Sequence, residues 1–281
     1  MKALLIMAML FSISCSQYKI ETDLNSSKED VLSSESFLRY SSSRIEKAIK
    51  ANASLSGVAL CHNGEIAKGQ ELLKKDLEKN KDNPDYWNQV GTCFYLAHQF
   101  VKAEYFYQLS IQTANANKIK YAPAHNNLGV IYLRQRHFET AFAEFNQALK
   151  IKRSFQTPRY NLAHLYLQFG QNQKALMEFN YLARYAPNDP GILAGIATSY
   201  TLLGDLKKAL SFFSKIPRKF VSRPDVATHY AMALYLAKDY EKAFLVLKNR
   251  QPTQIKAIRK TGKRLLKLIE AELENQKLAQ R

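Results

Sequence analysis

Apolar and small residues fall into a repeating frame along most of the chain. Ala103, Ala141, Ala175, Ala209 and Ala243 lie 38, 34, 34 and 34 residues apart. Twelve residues before each stands a small residue: Gly91, Gly129, Ala163, Ala197 or Ala231. Nine before each stands a large apolar one, Phe94, Tyr132, Tyr166, Tyr200 or Leu234, and four after each comes Tyr107, Phe145, Phe179, Phe213 or Leu247. Separations of three and four place side chains on one helical face. Pro84, Pro123, Pro158, Pro190 and Pro224 punctuate the same frame, and proline is accepted in a helix's first turn, where its missing N–H has no intrahelical partner. Each period therefore predicts two helices.

This frame resembles the tetratricopeptide repeat, a 34-residue pair of antiparallel helices. The resemblance implies that small residues at repeat positions 8 and 20 let the helices approach, while large ones at 11 and 24 fill the space beside them. Trp87 matches the family's position 4. The match covers residues 84 to 257, and Gly57, Leu60, Gly69 and Leu73 place a degenerate sixth unit one period earlier. Its first helix is expected to begin near Arg44 and its second to run from Glu65 to Lys79. Lys118 to Tyr121 lengthen one turn, and Pro217 should cut a second helix short. A last helix is expected over Ile255 to Asn275. The fold implied is all-α: a right-handed solenoid of about six helix-turn-helix repeats with a C-terminal capping helix. The domain plan is a signal segment over 1–15, a tether over 16–43, repeats over 44–257 and a basic cap over 258–281.

Leu4 to Ile13 is apolar apart from Ser12, too short to span a bilayer and suited to the core of a secretory signal. With Ser14 before Cys15 it resembles a bacterial lipoprotein signal, although Ser12 stands where that family has leucine. The resemblance implies lipid attachment at Cys15, and Ser16 then favours the outer membrane facing the periplasm over the inner membrane. Ordinary signal cleavage after Ser12-Ile13-Ser14 is the competing reading. Residues 16 to 43 hold nine serines mixed with charges of both signs, a composition that buries little apolar surface and predicts a flexible tether.

The formal net charge is +17. Beyond residue 43 there are 37 Lys and Arg against 19 Asp and Glu, so the body is drawn to anionic surfaces. Lys256, Arg259, Lys260, Lys263, Arg264 and Lys267 crowd one side of the last helix, as a solvated cap face or as a surface for anionic lipid head groups or an acidic partner. An exported protein does not routinely meet nucleic acid, so none is expected as partner. Cys61 and Cys93 fall at positions 12 and 10 of adjacent first helices, and separate buried thiols are expected over a disulfide. His62 and His98 match no standard zinc spacing. No nucleophile constellation, HExxH, GxSxG or phosphate-cradling loop occurs. The expectation is therefore no enzyme, no catalytic residue, no metal and no cofactor.

Function then belongs to a surface. The resemblance implies a concave face lined by the first helices. It brings together Asn88, Gln89 and Tyr95, then Asn126, Asn127 and Arg134, then Tyr160 and Asn161. An amide ladder can pair with the backbone of an extended peptide while tyrosine supplies apolar contact. The reading is a membrane-tethered scaffold that binds envelope proteins or peptides. Its architecture is similar to the lipoprotein pilotins that assist secretin and type IV pilus assembly. A component of outer-membrane barrel assembly and a docking regulator of cell-wall hydrolases are the alternatives.

Overall fold

Helix starts and stops follow from the repeat frame. In the computed structural model, which describes residues 57–253 and 255–280, every regular element is a helix. Cys15, the signal and tether segments and the helix start near Arg44 lie outside the described residues. The chain divides into two units at Asn161 and Leu162.

The first unit holds α1 (Gly57–His62), α2 (Ile66–Lys75), α3 (Leu77–Asn80), α4 (Pro84–Leu96), α5 (Phe100–Ala116), α6 (Ala122–Arg134) and α7 (Phe138–Ile151). The division falls within α8 (Gln156–Gln168). The second unit continues with α9 (Asn172–Ala183), α10 (Pro190–Leu202), α11 (Leu206–Phe213), α12 (Arg218–Val221), α13 (Pro224–Leu236), α14 (Tyr240–Lys248) and α15 (Lys256–Ala279). Pro84, Pro190 and Pro224 open α4, α10 and α13. Asn83 and Asp189 cap two of these helices by accepting from backbone N–H groups of the first turn, which satisfies donors the helix leaves open.

The turn inside each repeat is built the same way six times. Gly64, His98, Arg136, Gly170, Gly204 and Lys238 all have positive φ, between 60° and 87°, and all fall at one frame position. The next residue's N–H reaches back to the carbonyl five before it, from Gln99 to Phe94, His137 to Tyr132, Gln171 to Tyr166 and Asp205 to Tyr200, at 2.8–3.0 Å. This is the Schellman closure of a helix C-terminus.

Packing within repeats follows the small–large pairing. In the first unit a Cβ on Gly91 would stand 2.7 Å from the Tyr107 ring, and one on Gly129 2.7 Å from Phe145. Both rings are fully buried, each burial contributing about 2–3 kcal/mol. Trp87 stacks on Phe106 at 5.8 Å, Phe106 stacks on Phe94 at 5.1 Å, and the indole N–H donates to the Lys81 carbonyl at 2.7 Å. In the second unit Phe213, Val226, Leu234, Leu247, Leu265 and Ile269 share one core. There α15 buries Gly262, Leu265 and Ile269. The Arg250 guanidinium lies where a Cβ on Gly262 would be, donating to Thr228 Oγ1 at 3.1 Å and the Ile258 carbonyl at 3.2 Å.

Four local expectations change or sharpen. The second helix of the first repeat is two pieces, α2 and α3, broken at Asp76, whose N–H is shared between the Leu72 and Leu73 carbonyls. α11 ends at Phe213, four residues ahead of Pro217, which becomes the N-cap of α12. α15 runs to Ala279 rather than Asn275. Cys61 and Cys93 are not separate thiols but a disulfide joining α1 to α4, with Cα atoms 5.4 Å apart. The physical reason is that the first helices of adjacent repeats stack side by side, which brings the two Cα atoms within the range a disulfide spans, while Gly57 and Gly69 separately let α2 close on α1.

Candidate functional site

The eight residues expected to line a peptide face all lie in the first unit, on its three successive first helices. Asn88, Gln89 and Tyr95 are on α4, Asn126, Asn127 and Arg134 on α6, and Tyr160 and Asn161 on α8. The amides turn toward one another. Asn161 Nδ2 donates to Asn126 Oδ1 at 3.0 Å, Asn126 Nδ2 to Asn127 Oδ1 at 3.1 Å, and Asn127 Nδ2 to Asn88 Oδ1 at 2.9 Å. The position-6 amide of one repeat thus bonds the position-5 amide of the repeat before it, twice over. Asn126, Asn127 and Asn161 are buried, as are Tyr95 and Tyr160. Their role here is to fix the register of α4, α6 and α8, and the side chains left half-exposed are Asn88, Gln89 and Arg134.

Around those three the surface is polarised. Near the start of α4 the Asp85 carboxylate accepts from Gln89 Nε2 at 2.7 Å and from the Tyr121 hydroxyl at 2.5 Å. Toward the other end the Arg134 guanidinium lies 4.1 Å from the Phe100 ring centroid and 5.9 Å from that of Tyr95, a cation–π arrangement. His98 stands nearby, its pKa lowered first by burial and then by the Arg134 charge. Asp85 and Tyr95 are ten residues apart on α4, so the acidic and cationic ends are separated by roughly 15 Å. Asp85, Tyr121 and Phe100 were not picked out from sequence. Asp85 sits in the first turn of α4, one of the first helices that the resemblance assigns to the concave face. Tyr121 closes the inserted turn, and nothing local in sequence points it at Asp85.

The basic residues Lys256, Arg259, Lys260, Lys263, Arg264 and Lys267 are all exposed on α15. Among the described residues no group of three or more His, Cys, Asp or Glu side chains is placed to hold a metal ion. Among them, too, no helix is long and apolar enough to cross a membrane.

Two tetratricopeptide-repeat family models match the chain, one over residues 82–154 and another over 160–224. The chain carries tetratricopeptide repeats, and its class is the repeat-built protein-interaction scaffold. Among solved structures it is similar to PilF of Pseudomonas aeruginosa, with 17% identity over 81% of this chain and 99% of that one, at a TM-score of 0.63. It is also similar to YrrB, described as a TPR protein with an unusual peptide-binding site, with 19% identity over 68% of this chain and 97% of that one, at 0.53. A third is the APC/C hetero-tetramer Cut9–Hcn1, with 14% identity over 94% of this chain and 52% of that one, at 0.64. At these identities the likeness is one of fold. No curated protein matches the chain in sequence.

Proposed function

We propose that the chain is a non-catalytic, membrane-tethered adaptor that holds an extended segment of an envelope protein against α4 and α6. The observation that carries this reading is the file of amides from Asn161 to Asn88. It fixes neighbouring first helices side by side, so the face bearing Gln89 and Arg134 needs little ordering when a ligand arrives. The polarity of that face suits a segment with a donor or cation toward Asp85 and an acidic group toward Arg134. A span of roughly 15 Å corresponds to four or five extended residues.

Export and lipid attachment at Cys15 belong to the same proposal. The Cys61–Cys93 disulfide supports it independently of the N-terminal segment, since disulfides persist in oxidising compartments such as the periplasm. The partner class proposed is a secretin or another component of pilus assembly, on the strength of the anchor-plus-repeats plan. Barrel-assembly proteins and cell-wall hydrolases are the alternatives. A photo-crosslinker placed at Gln89 in the full chain tests the face in the cell envelope. Capture of a secretin supports the first reading, and capture of a barrel protein or hydrolase selects an alternative. If a crosslinker on the exposed back of α5 captures the same partner and Gln89 captures none, the face is not the site. Mass spectrometry of the mature N-terminus tests the anchor, with an acylated Cys15 as the expected result.

A further inference from the structure

α15 carries two surfaces with different fates. Its apolar side, with Leu265 and Ile269, is spent on the core of the second unit. Its opposite side presents Lys256, Lys260, Lys263 and Lys267, flanked by Arg259 and Arg264. At 100° per residue these six fall within an arc of about 140° centred opposite the buried stripe. Between Lys256 and Ile269 there is no acidic residue at all. The row extends roughly 17 Å along the helix and stops where Glu270, Glu272 and Glu274 begin.

We infer that this row adsorbs the protein to an anionic membrane surface, with α15 lying along the head groups. The inference goes beyond the peptide face of the first unit and does not depend on it. Three observations select the occupant. Residues 256 to 267 contain no aromatic side chain on which a base could stack. Apart from Lys and Arg, which bind phosphate as well as guanine, they contain no Asn, Gln, Asp or Glu that could read a base edge. The cations stand on the outward, convex side of a single helix, which offers a peptide no pocket for its side chains. A plane of anionic head groups needs none of these; it needs a row of long cations on a convex surface. Because the apolar stripe of α15 is already buried, the mode is adsorption and not insertion.

The test compares the full chain carrying Cys15→Ser, which no acyl chain can hold to lipid at that position, with the same chain bearing K256Q, K260Q, K263Q and K267Q. Sedimentation is measured with vesicles of phosphatidylcholine alone and with roughly one third phosphatidylglycerol. The expected result is binding that prefers the anionic vesicles and weakens steeply with salt. Each lysine removed should lower it about fivefold, so the quadruple variant falls by more than about a hundredfold. A variant with the four lysines replaced by arginine should bind as the parent does, which separates charge from folding. Equal binding of the parent and the glutamine variant overturns the inference, as does binding indifferent to salt. Tighter, lysine-dependent binding of duplex DNA or of polyglutamate at the same salt would also overturn it, in favour of nucleic acid or an acidic protein.

Discussion

Asn126, Asn127 and Asn161 combine burial with a polar side chain, which is costly unless each amide finds partners. They find them in one another, so removing one strands its neighbour. Replacing Asn127 or Asn161 with Ala is expected to cost about 1–3 kcal/mol of stability, read from urea unfolding. Gln89→Ala, at a half-exposed site, should leave the unfolding midpoint within experimental scatter while weakening peptide capture. That contrast was not legible in sequence. The frame placed these amides at positions 5 and 6, and donor and acceptor counts made a peptide backbone a natural partner. Whether two amides on successive helices meet each other first depends on helix separation, which residue types do not encode. Protonation acts at the same scale. Burial lowers the His62 pKa to about 4, and burial likewise lowers those of His98 and His229. Above pH 6.5 folded and unfolded His62 are both neutral. As pH falls from about 6.5 toward 4, the unfolded chain takes a proton that the folded one refuses, and stability is lost. For His62 alone the loss between pH 7 and pH 5 should be on the order of 1–2 kcal/mol, and a His62→Gln variant should show a flatter dependence of the urea midpoint over that range.

The helices that depart most from expectation lie at the two ends of the described chain. α1 has six described residues and α2 is only ten residues long, too little to be stable by helix propensity alone. The disulfide compensates by closing a loop across 32 positions, an effect of up to about 4 kcal/mol in the chain-entropy view. A Cys61→Ser, Cys93→Ser double variant should show faster hydrogen exchange over residues 57–80 with little change in α13 and α14. At the other end, removal of α15 uncovers Leu234 and Leu247 in the second core. A chain ending before Lys256 should therefore be less soluble and bind more of a dye that reports exposed apolar surface. The within-repeat turns show why element boundaries were only partly readable. Gly64, Gly170 and Gly204 advertise a left-handed residue, but His98, Arg136 and Lys238 occupy the same conformation, and only the repeat frame, not residue type, reveals it.

For the molecule as a whole, what sequence made legible was whatever repeats. Six helix pairs, their turns and their small–large contacts recur, and each recurrence corrects errors in the others. What occurs once was not legible: the pairing of Cys61 with Cys93, the Tyr121–Asp85 hydrogen bond, and Arg250 filling the space above Gly262. In each case the contact joins different elements, and its geometry is a product of packing and not of local sequence. Resemblance to the family assigns the candidate face to α4, α6 and α8, but its polarity comes from Asp85, Phe100 and Arg134 acting together. Repeat proteins distribute stability among neighbouring units instead of concentrating it in one nucleus, so the loss of one contact is expected to be felt locally, and the urea midpoints of the Gln89 and His62 variants are those of the first unit.

That locality has an optical consequence. The chain contains one tryptophan, and Trp87 sits among Phe106, Phe94 and Tyr86 beside the disulfide-bonded helices. Its emission therefore lights only the first unit and leaves the second dark. Reducing the protein should shift the emission to longer wavelength before the far-ultraviolet ellipticity falls. During urea unfolding the two signals should separate. Adsorption through α15 should pass unseen in this channel, so any spectral change on adding vesicles would report an event in the first unit.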